Sequence, residues 1–532
     1  MIKLTYTSDG ILYTAEETDE NVILEEVFEG ERHRVKATAK RDLELKDAAI
    51  EFTRYFEDDD RIMANGYQSW TETKEFEKGE YLNDLKAGPR PVTSYFKFRY
   101  YGSQAFWDLP KGRLQGFDFS WINGRDPLFI GSFNHKNAYL LIWFFRKDNR
   151  ILLQSDIDGR VLKAGESFTV FDYMLSDRGD AYFASYTPVT ERKLFGYTSW
   201  YNHYQNINEQ LIFNAIEQAD SRFDLFQIDD GFETYVGDWL SVDRKKFPTG
   251  LKPVVDRIHE KGMMAGIWLA PFVAEEKSQL MYDHPDWFPI HPKKGRRIYA
   301  GSNWSNDCPL DLNIPEAVEY IRKSLRHYVE LGFDFFKLDF LYAVNLKPLY
   351  GKTRCETSEF AYSLLREELA GKLILGCGAT LSNAFERFEY MRVGPDVSLS
   401  FDDAPYMSIF HPERVSTKNT ILNSVFRSCL DGHMFLNDPD VFLLRDENIK
   451  LNPEQRKSLT TMNALFGSLL MTSDDIGSYD EGKREILENA LDLFRSRKNV
   501  SYSRNGRKLR VEYEQAGVKK SFEYDIKKGT MR

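Results

Sequence analysis

The pattern of apolar and polar positions along the chain changes near residue 190. Before it, short segments in which apolar and polar residues alternate are separated by turn signals such as Asn123-Gly124 and Asp158-Gly159. Alternation with a period of two is typical of strands that bury one face. The clearest such segments are 21–29, 96–101, 127–133, 138–145 and 167–173. Many short strands with few helical stretches between them predict a β-sandwich over residues 1–190.

From about residue 194 onward, short apolar strands alternate with amphipathic helices. In one predicted helix, Asn313 is suited to the N-cap, Pro315 to the first turn and Gly332 to the C-terminal end. The predicted strands are 195–200, 225–229, 265–270, 335–339, 373–376, 390–393, 434–436 and 468–472. Eight strand–helix units in roughly 280 residues favour a (β/α)8 barrel. A doubly wound open sheet is the competing topology, but the sequence lacks the Gly-rich fingerprint that often accompanies it.

The last part of the chain returns to β-type alternation. A helical stretch over 481–497 is followed by alternating segments at 508–513 and 519–524. A chain of 532 residues is too long for one typical domain. We therefore expect a multidomain α/β protein with three parts. They are an N-terminal β-sandwich domain (1–190), a catalytic barrel (191–478) and a small C-terminal β-rich domain (479–532).

Composition narrows the class of partner. The hydrophobic share of 42% and the charged share of 29% are ordinary for a globular protein in water. The net charge of −11 is spread along the chain, which argues against nucleic acid as a partner. The first seven residues do not resemble a secretory signal, and the longest apolar stretch, 138–145, is too short to cross a bilayer. Four scattered cysteines without metal-ligand spacing fit reduced thiols. We expect a cytoplasmic protein without a membrane partner; a homo-oligomer is left open.

Polar and aromatic side chains follow most of the predicted barrel strands at their carboxyl ends, where barrel enzymes hold their reactive groups. They are Trp200, Tyr201, Asp229, Asp230, Trp268, Lys337, Asp339, Cys377, Arg392 and Asp396. Asp339 and Asp396 each end a buried strand near a cation, Lys337 or Arg392. A pair of carboxylates on separate strands of one scaffold is what retaining glycoside hydrolysis requires.

Other interpretations of these residues exist. An aspartate at a strand end is commonly a helix N-cap or a turn former, and we interpret the run 437–440 as turn chemistry. A buried Cys377 is more often a packed residue than a nucleophile. A metal site would need converging carboxylates or histidines, and a phosphate site would need Gly-rich amides and more cations. A neutral polyol fits carboxylates, two cations and tryptophans better.

The motifs around these residues, taken in order, resemble the α-galactosidases of glycoside hydrolase family 36. They are Phe226-Gln227-Ile228-Asp229-Asp230-Gly231-Phe232-Glu233, Gly266-Ile267-Trp268-Leu269-Ala270-Pro271-Phe272, Lys337-Leu338-Asp339-Phe340, Leu375-Gly376-Cys377-Gly378 and Arg392-Val393-Gly394-Pro395-Asp396. Gln68-Ser69-Trp70 matches in the first domain, so the resemblance covers about 65–475. It implies an N-terminal β-supersandwich, a central (β/α)8 TIM barrel and a C-terminal β domain.

The resemblance also implies roles. Asp339 would be the nucleophile and Asp396 the general acid/base of a retaining exo-α-galactosidase acting on oligosaccharides such as melibiose or raffinose, without a cofactor or metal. The sugar would be bound by Asp229, Asp230, Lys337, Arg392, Cys377, Trp268, Trp200, Tyr201 and Trp70. Many family members carry tryptophan after Asp-Asp-Gly, where this chain has Phe232.

Four alternatives stay open at this stage. An α-N-acetylgalactosaminidase would need space for an acetamido group near Cys377, and a galactosyl transferase would differ mainly in the outer pocket. A sugar-binding protein without turnover would keep the pocket but is disfavoured by the intact pair Asp339 and Asp396. A metal-dependent barrel enzyme is the weakest alternative.

Overall fold

The structure is a computed structural model that describes residues 2–80, 114–402 and 415–532. Within these ranges it contains a large antiparallel sheet near the N-terminus, a parallel sheet, a small antiparallel sheet at the C-terminus and a two-stranded hairpin, Val273–Glu275 with Asp307–Pro309. The multidomain α/β architecture predicted from the sequence is thus confirmed. The strand predicted over 96–101 lies outside the described residues.

The described residues contribute 14 strands to the N-terminal sheet. They are Ile2–Ser8, Ile11–Ala15, Val22–Glu29, Arg32–Ala39, Leu43–Thr53, Arg61–Ala64, Lys74–Phe76, Leu114–Phe117, Phe119–Asn123, Leu128–Ser132, Leu140–Phe145, Arg150–Ser155, Val161–Leu162 and Ser167–Ser176. Leu140–Phe145 is buried at every position. Since side chains alternate along a strand, Ile142 enters the core of this sheet while Leu141 and Trp143 pack into the larger core shared with the parallel sheet. This two-sided burial explains its uninterrupted apolar run.

The parallel sheet has nine strands. In spatial order they are Leu436–Asp438, Tyr390–Arg392, Leu373–Gly376, Phe335–Leu338, Met264–Leu269, Leu225–Ile228, Leu194–Thr198, Leu469–Thr472 and Val441–Phe442. The two outermost strands are separated in sequence only by Pro439 and Asp440. The backbone N–H of Ser468 also donates to the carbonyl of Asn437 at 2.8 Å. The sheet therefore curls until its two ends meet.

Most predicted strands lie within one residue of the observed limits, but two differ by two residues at one end or both. The first ends at Thr198, and Trp200 begins a short helix. The seventh was predicted at 434–436 but runs over Leu436–Asp438, so interpreting Asn437 and Asp438 as a turn was wrong. Both side chains are buried, and Asp438 forms an ion pair with Arg392. The buried partner makes a polar dipeptide compatible with a buried strand.

Helices alternate with the parallel strands. The α-helices are Asp180–Phe183, Trp200–His203, Glu209–Gln218, Lys252–Glu260, Gln279–Asp283, Pro315–Leu331, Arg354–Glu368, Thr417–Phe426, Pro453–Phe466 and Glu481–Ser496. The 3₁₀ helices are Arg146–Asp148, Pro285–Trp287, Leu341–Leu346, Ser382–Ala384, Ser428–Leu430 and Ile476–Ser478. Pro315 and Gly332 begin and end their helix as predicted, with Gly332 at φ +101°. The N-cap is Ile314, however, because the side chain of Asn313 hydrogen-bonds elsewhere.

The C-terminal sheet consists of Lys498–Asn505, Lys508–Gln515, Val518–Asp525 and Thr530–Met531, all antiparallel. The helix before it, Glu481–Ser496, packs against Pro453–Phe466 of the parallel-sheet region. The domain boundaries at 190/191 and 478/479 stay predictions. No helix among the described residues is both long enough and apolar enough to cross a membrane.

One buried arginine joins the N-terminal sheet to the parallel sheet. The guanidinium of Arg427 donates to the side-chain oxygen of Asn65 and to the carbonyls of Gly66, Gln68, Ser69 and Val393, at 2.7 to 3.2 Å. Burial lowers the pKa of Arg427 to about 9. The Oγ of Ser69 also accepts from the N–H of Ala379 at 2.9 Å. These contacts bring the next residue, Trp70, to the carboxyl ends of the parallel strands.

Gly378 is where Trp70 meets the parallel sheet. It has φ +51°, and a Cβ there would lie 2.8 Å from the indole of Trp70. We expect Gly378→Ala to lower the free energy of unfolding by about 2 kcal/mol, because both backbone strain and overlap oppose it. At the control position Gly371, φ is +75° and a Cβ would meet nothing within 4 Å. Gly371→Ala should cost about 1 kcal/mol. Denaturant unfolding measures both, and equal losses would contradict the contribution of Trp70.

Candidate active site

The order of the parallel strands places the predicted residues together. Phe335–Leu338 lies between Met264–Leu269 and Leu373–Gly376, and Lys337 is in register with Trp268. Lys337 and Asp339 are two positions apart, so they point to the same face. Trp268, Lys337, Asp339 and Cys377 are all buried. Four predicted residues therefore lie close together at the carboxyl edge of the sheet.

The carboxylate of Asp339 is held by hydrogen bonds on both oxygens. Its Oδ2 accepts from the indole Nε1 of Trp268 at 3.1 Å, and its Oδ1 accepts from the backbone N–H of Phe340 at 2.8 Å. Burial raises the pKa of Asp339, while the charge of Lys337 opposes this rise. The thiol of Cys377 lies beside Asp339, and burial raises the pKa of this thiol well above the usual range. Cys377 is therefore a neutral neighbour of the carboxylate.

Asp229 and Lys337 form a buried ion pair. The Nζ of Lys337 donates to Oδ2 of Asp229 at 2.8 Å, and the same oxygen accepts from the Nε2 of Gln227 at 2.7 Å. Burial alone would lower the pKa of Lys337, but the charge of Asp229 raises it overall, so the ammonium keeps its proton. The backbone N–H of Asp229 donates to the Oγ of Ser199 at 2.9 Å. Both charged groups are thus fixed before any ligand binds.

Asp230 lies beside two residues that the sequence did not reveal. The Nε2 of Gln205 donates to both of its oxygens at 3.1 Å, and the indole Nε1 of Trp304 donates to Oδ2 at 2.9 Å. Burial raises the pKa of Asp230, and burial raises that of its neighbour Glu233 well above the usual range. Trp304 lies between the hairpin strands Val273–Glu275 and Asp307–Pro309. Since neither residue ends a parallel strand, no motif indicated them.

Arg392 connects Asp396 to two further carboxylates. Its Nη1 donates to Oδ1 of Asp396 at 2.9 Å and its Nε to Oδ2 of Asp438 at 2.8 Å. Its Nη2 lies 2.8 Å from Oδ1 of Asp440. Asp396 is the most accessible of the three acids, with 33% of its side chain exposed. Within the described ranges, no second hydrogen bond is made by its carboxylate, so Oδ2 is directed toward solvent or a ligand.

Aromatic side chains cluster beside Asp339. The ring of Trp70 lies 5.3 Å from that of Phe340, and Trp304 lies 5.2 Å from Phe340 and 6.0 Å from Trp268. These indoles and the phenyl ring come from both the N-terminal sheet and the parallel-sheet region. They supply apolar faces of the kind that pack on sugar rings.

The remaining predicted residues are placed differently. Trp200 is half-buried and packs edge-on against Tyr204. Tyr201 is buried, and its hydroxyl donates to Asp440. Phe232 packs in the core against Tyr328, so the indole beside Asp230 belongs to Trp304.

The two candidate catalytic acids interact with each other electrostatically. The charge of Asp396 is among the factors that raise the pKa of Asp339, and both acids contribute to the raised pKa of Cys377. Asp339 and Asp396 are therefore near enough to interact through their charges. Among described residues, no group of three His, Cys, Asp or Glu side chains is arranged to hold a metal ion. The arrangement suits polar chemistry on a neutral ligand.

Comparison with known proteins assigns the class. Residues 189–367 match the family model described as melibiase. Homologues of this chain are α-galactosidases: one from Escherichia coli is 35% identical over 133 residues (24% of this chain, 18% of the relative), and AgaA from Geobacillus stearothermophilus is 30% identical over 135 residues (24% and 18%). The matched segment spans about a fifth of the length of these relatives.

Solved structures extend the similarity to almost the whole chain. TtGalA, an α-galactosidase from Thermus thermophilus in complex with p-nitrophenyl α-D-galactopyranoside, has a TM-score of 0.71 at 24% identity, covering 97% of this chain and 98% of that one. The family 36 α-galactosidase AgaA from Geobacillus stearothermophilus has a TM-score of 0.63 at 14% identity, covering 98% and 72%. At these identities the structures show a shared fold. The resemblance to family 36 is confirmed.

Proposed function

We propose that this protein is a retaining, exo-acting α-galactosidase that removes terminal α-D-galactosyl residues from short oligosaccharides such as melibiose or raffinose. The observation that carries this proposal is the pair Asp339 and Asp396, two acids that interact electrostatically and are held by Trp268 and Arg392 at the carboxyl edge of the parallel sheet. The relatives named above are α-galactosidases, and TtGalA has also been solved with stachyose (25% identity, TM-score 0.69, 92% of this chain and 99% of that one).

Asp339 would attack the anomeric carbon. Its oxygens are oriented by Trp268 and by the backbone of Phe340, and the nearby ammonium of Lys337 favours its charged form. The attack forms a glycosyl–enzyme ester on the β face as the bond to the leaving oxygen breaks. Two such inversions, one to form and one to hydrolyse the ester, retain the α configuration.

Asp396 would transfer the proton. With Oδ1 held by Arg392, Oδ2 is the oxygen that can carry a proton to the leaving group. After the glycosyl–enzyme forms, the resulting carboxylate can accept a proton from the attacking water. Its greater exposure suits a group that must meet both the leaving sugar and water.

The sugar itself would be held by the buried polar groups. Asp229 and Asp230 would accept hydrogen bonds from the 4- and 6-hydroxyls, Lys337 and Arg392 would donate to neighbouring hydroxyls, and Cys377 would lie near the 2-position. Trp268, Trp200 and Tyr201 would shape the pocket, and Trp70 would close it from the N-terminal sheet. The finer architecture we propose is a β-supersandwich (1–190), a (β/α)8 TIM barrel (191–478) and a C-terminal β domain (479–532) in a cytoplasmic protein.

Galactose is favoured over its 2-acetamido analogue by one feature of the site. Cys377 is completely buried, so we expect little space for an acetamido group beside it. Transfer of galactose to an acceptor sugar instead of water uses the same residues and differs only in the second step.

The decisive experiment compares 4-nitrophenyl α-galactoside with its 2-acetamido analogue. We expect release of nitrophenol from the first alone, and α-galactose as the first product in anomeric proton NMR. Initial β-galactose would contradict retention, preference for the analogue would assign an α-N-acetylgalactosaminidase, and galactosylated acceptors at excess melibiose would assign a transferase. Galactose binding without turnover would assign a sugar-binding protein.

A further inference from the structure

We propose that Asp440, a residue to which the sequence motifs assign no role, is a positioning residue that keeps the proton on Asp396 until the leaving group takes it. It does so by sharing the guanidinium of Arg392 with Asp396 and by holding the backbone beside Asp396. This inference rests on the proposed function of Asp396 as the general acid.

The first step of the argument is the division of one cation among three acids. Arg392 contacts Asp396, Asp438 and Asp440 through three different nitrogens, each at 2.8 to 2.9 Å. Arg392, Asp438 and Asp440 are at most 3% exposed. Since solvent does not screen this cluster, each carboxylate reduces the share of positive charge available to the others.

The second step concerns the hydrogen bonds by which Asp440 holds the backbone beside Asp396. Its Oδ2 accepts from the backbone N–H of Val397 at 2.7 Å and from the hydroxyl of Tyr201. Its own N–H donates to Oδ1 of Asp438 at 2.8 Å, and its φ of +70° turns the chain between the last strands of the parallel sheet. A left-handed aspartate at this turn is held by contacts on both sides.

The third step concerns charge. Burial raises the pKa of Asp440 to about 7. The charges of Asp396 and Asp438 add to this rise, and the charge of Arg392 opposes it. The ionisable groups that interact with this pair of acids are Arg392, Asp438, Tyr201, Tyr204, Asp339 and Cys377. Above about pH 7, where Asp440 is ionised, its charge repels a second negative charge on Asp396 and competes with it for Arg392. Both effects favour the protonated form that a general acid needs.

The test is Asp440→Asn, which removes the charge and keeps the shape. Arg392 then favours ionised Asp396, so the acid loses its proton at lower pH. We expect the basic limb of the kcat/KM profile for 4-nitrophenyl α-galactoside to move to lower pH by about one unit. Melibiose, whose leaving group needs the proton more, should lose about tenfold more kcat/KM than the nitrophenyl substrate.

Asp474→Asn is the matched control. Asp474 is also buried. It accepts hydrogen bonds from the backbone N–H groups of Leu444 and Arg445, from the guanidinium of Arg445 and from the hydroxyl of Tyr479. Among the described residues, Asp396 is not one of its partners. Asp474→Asn should lower the melting temperature but leave the basic limb of the kcat/KM profile unchanged. Tyr201→Phe, which removes one donor from Asp440, should shift the limb in the same direction by less, and decides the question if Asp440→Asn does not fold.

The outcomes separate the two proposals. An active wild-type enzyme whose basic limb and leaving-group ratio are the same in Asp440→Asn and Tyr201→Phe would overturn the role of Asp440. An equal shift of the basic limb in Asp474→Asn would show that Asp440 has only a structural role. A wild-type protein without turnover of any α-galactoside would overturn the proposed function, and this inference with it.

Discussion

Replacing Asp339 by asparagine abolishes turnover: we expect kcat/KM for 4-nitrophenyl α-galactoside to fall by about 10⁵-fold, the order of loss seen when a covalent nucleophile is removed. The carboxamide keeps the volume and can still accept from Trp268, but it cannot form the glycosyl ester. The folded state should survive with some loss of stability, because the single carbonyl oxygen of asparagine can replace only one of the two acceptors that Trp268 and Phe340 use.

Two measurements assign the loss to chemistry. A 2-deoxy-2-fluoro galactosyl donor should inactivate the wild-type enzyme and label a peptide that contains Asp339. Asp339→Gly with azide should yield β-galactosyl azide, since azide then attacks directly from the face that the carboxylate vacates. Asp334→Asn is the control, because Asp334 lies at the opposite end of the same strand, where it contacts His259. A label on another residue would contradict the assignment.

The acid limb of the pH profile follows from the same carboxylate. Asp339 must be ionised to attack, and burial raises its pKa above the ordinary aspartate value of about 3.9. As pH falls from neutrality, kcat/KM should therefore decline at a higher pH than it would if the nucleophile were an exposed aspartate. A kcat/KM profile that stays flat down to about pH 4 would contradict this.

The second large effect is that of Asp396→Ala. Without the proton donor, kcat/KM for melibiose should fall by about 10⁴-fold, whereas a 4-nitrophenyl leaving group needs little protonation and the first step should be far less affected. The second step then lacks its base, so the glycosyl–enzyme should accumulate and produce a burst of nitrophenol. Stopped-flow absorbance measures the burst.

Azide distinguishes the two acids. In Asp396→Ala it should restore turnover and yield α-galactosyl azide, because it attacks the glycosyl–enzyme from the face that water uses. The opposite configuration is expected for Asp339→Gly, so each variant controls for the other. The same configuration from both variants would contradict the division of roles.

The sequence predicted the elements of the parallel sheet well because each carries its own local signal. The strand Phe335–Leu338 is a short apolar run ending in a polar residue, and the helix Pro315–Leu331 has its proline and glycine at the expected ends. The carboxyl ends of parallel strands lie at one edge of a sheet, so the sequence alone predicted that Asp229, Lys337 and Asp339 lie together.

The same reasoning failed where a residue's environment comes from a distant part of the chain. Asp438 and Asp440 have the composition of a turn, yet both contact Arg392. Trp304 reaches Asp230 from a hairpin whose spacing carries no catalytic signal. A polar residue in isolation favours solvent, and only a buried partner reverses that preference.

By itself, the chain's pattern of apolar and polar residues determined which segments form strands and helices and which acids stand at strand ends, because burial on one face repeats with the period of each element. The tertiary structure decided which groups share a charge or a hydrogen bond. Arg427 and Asn65 are 362 positions apart. Their contact exists only because two sheets pack together, and no local periodicity encodes it.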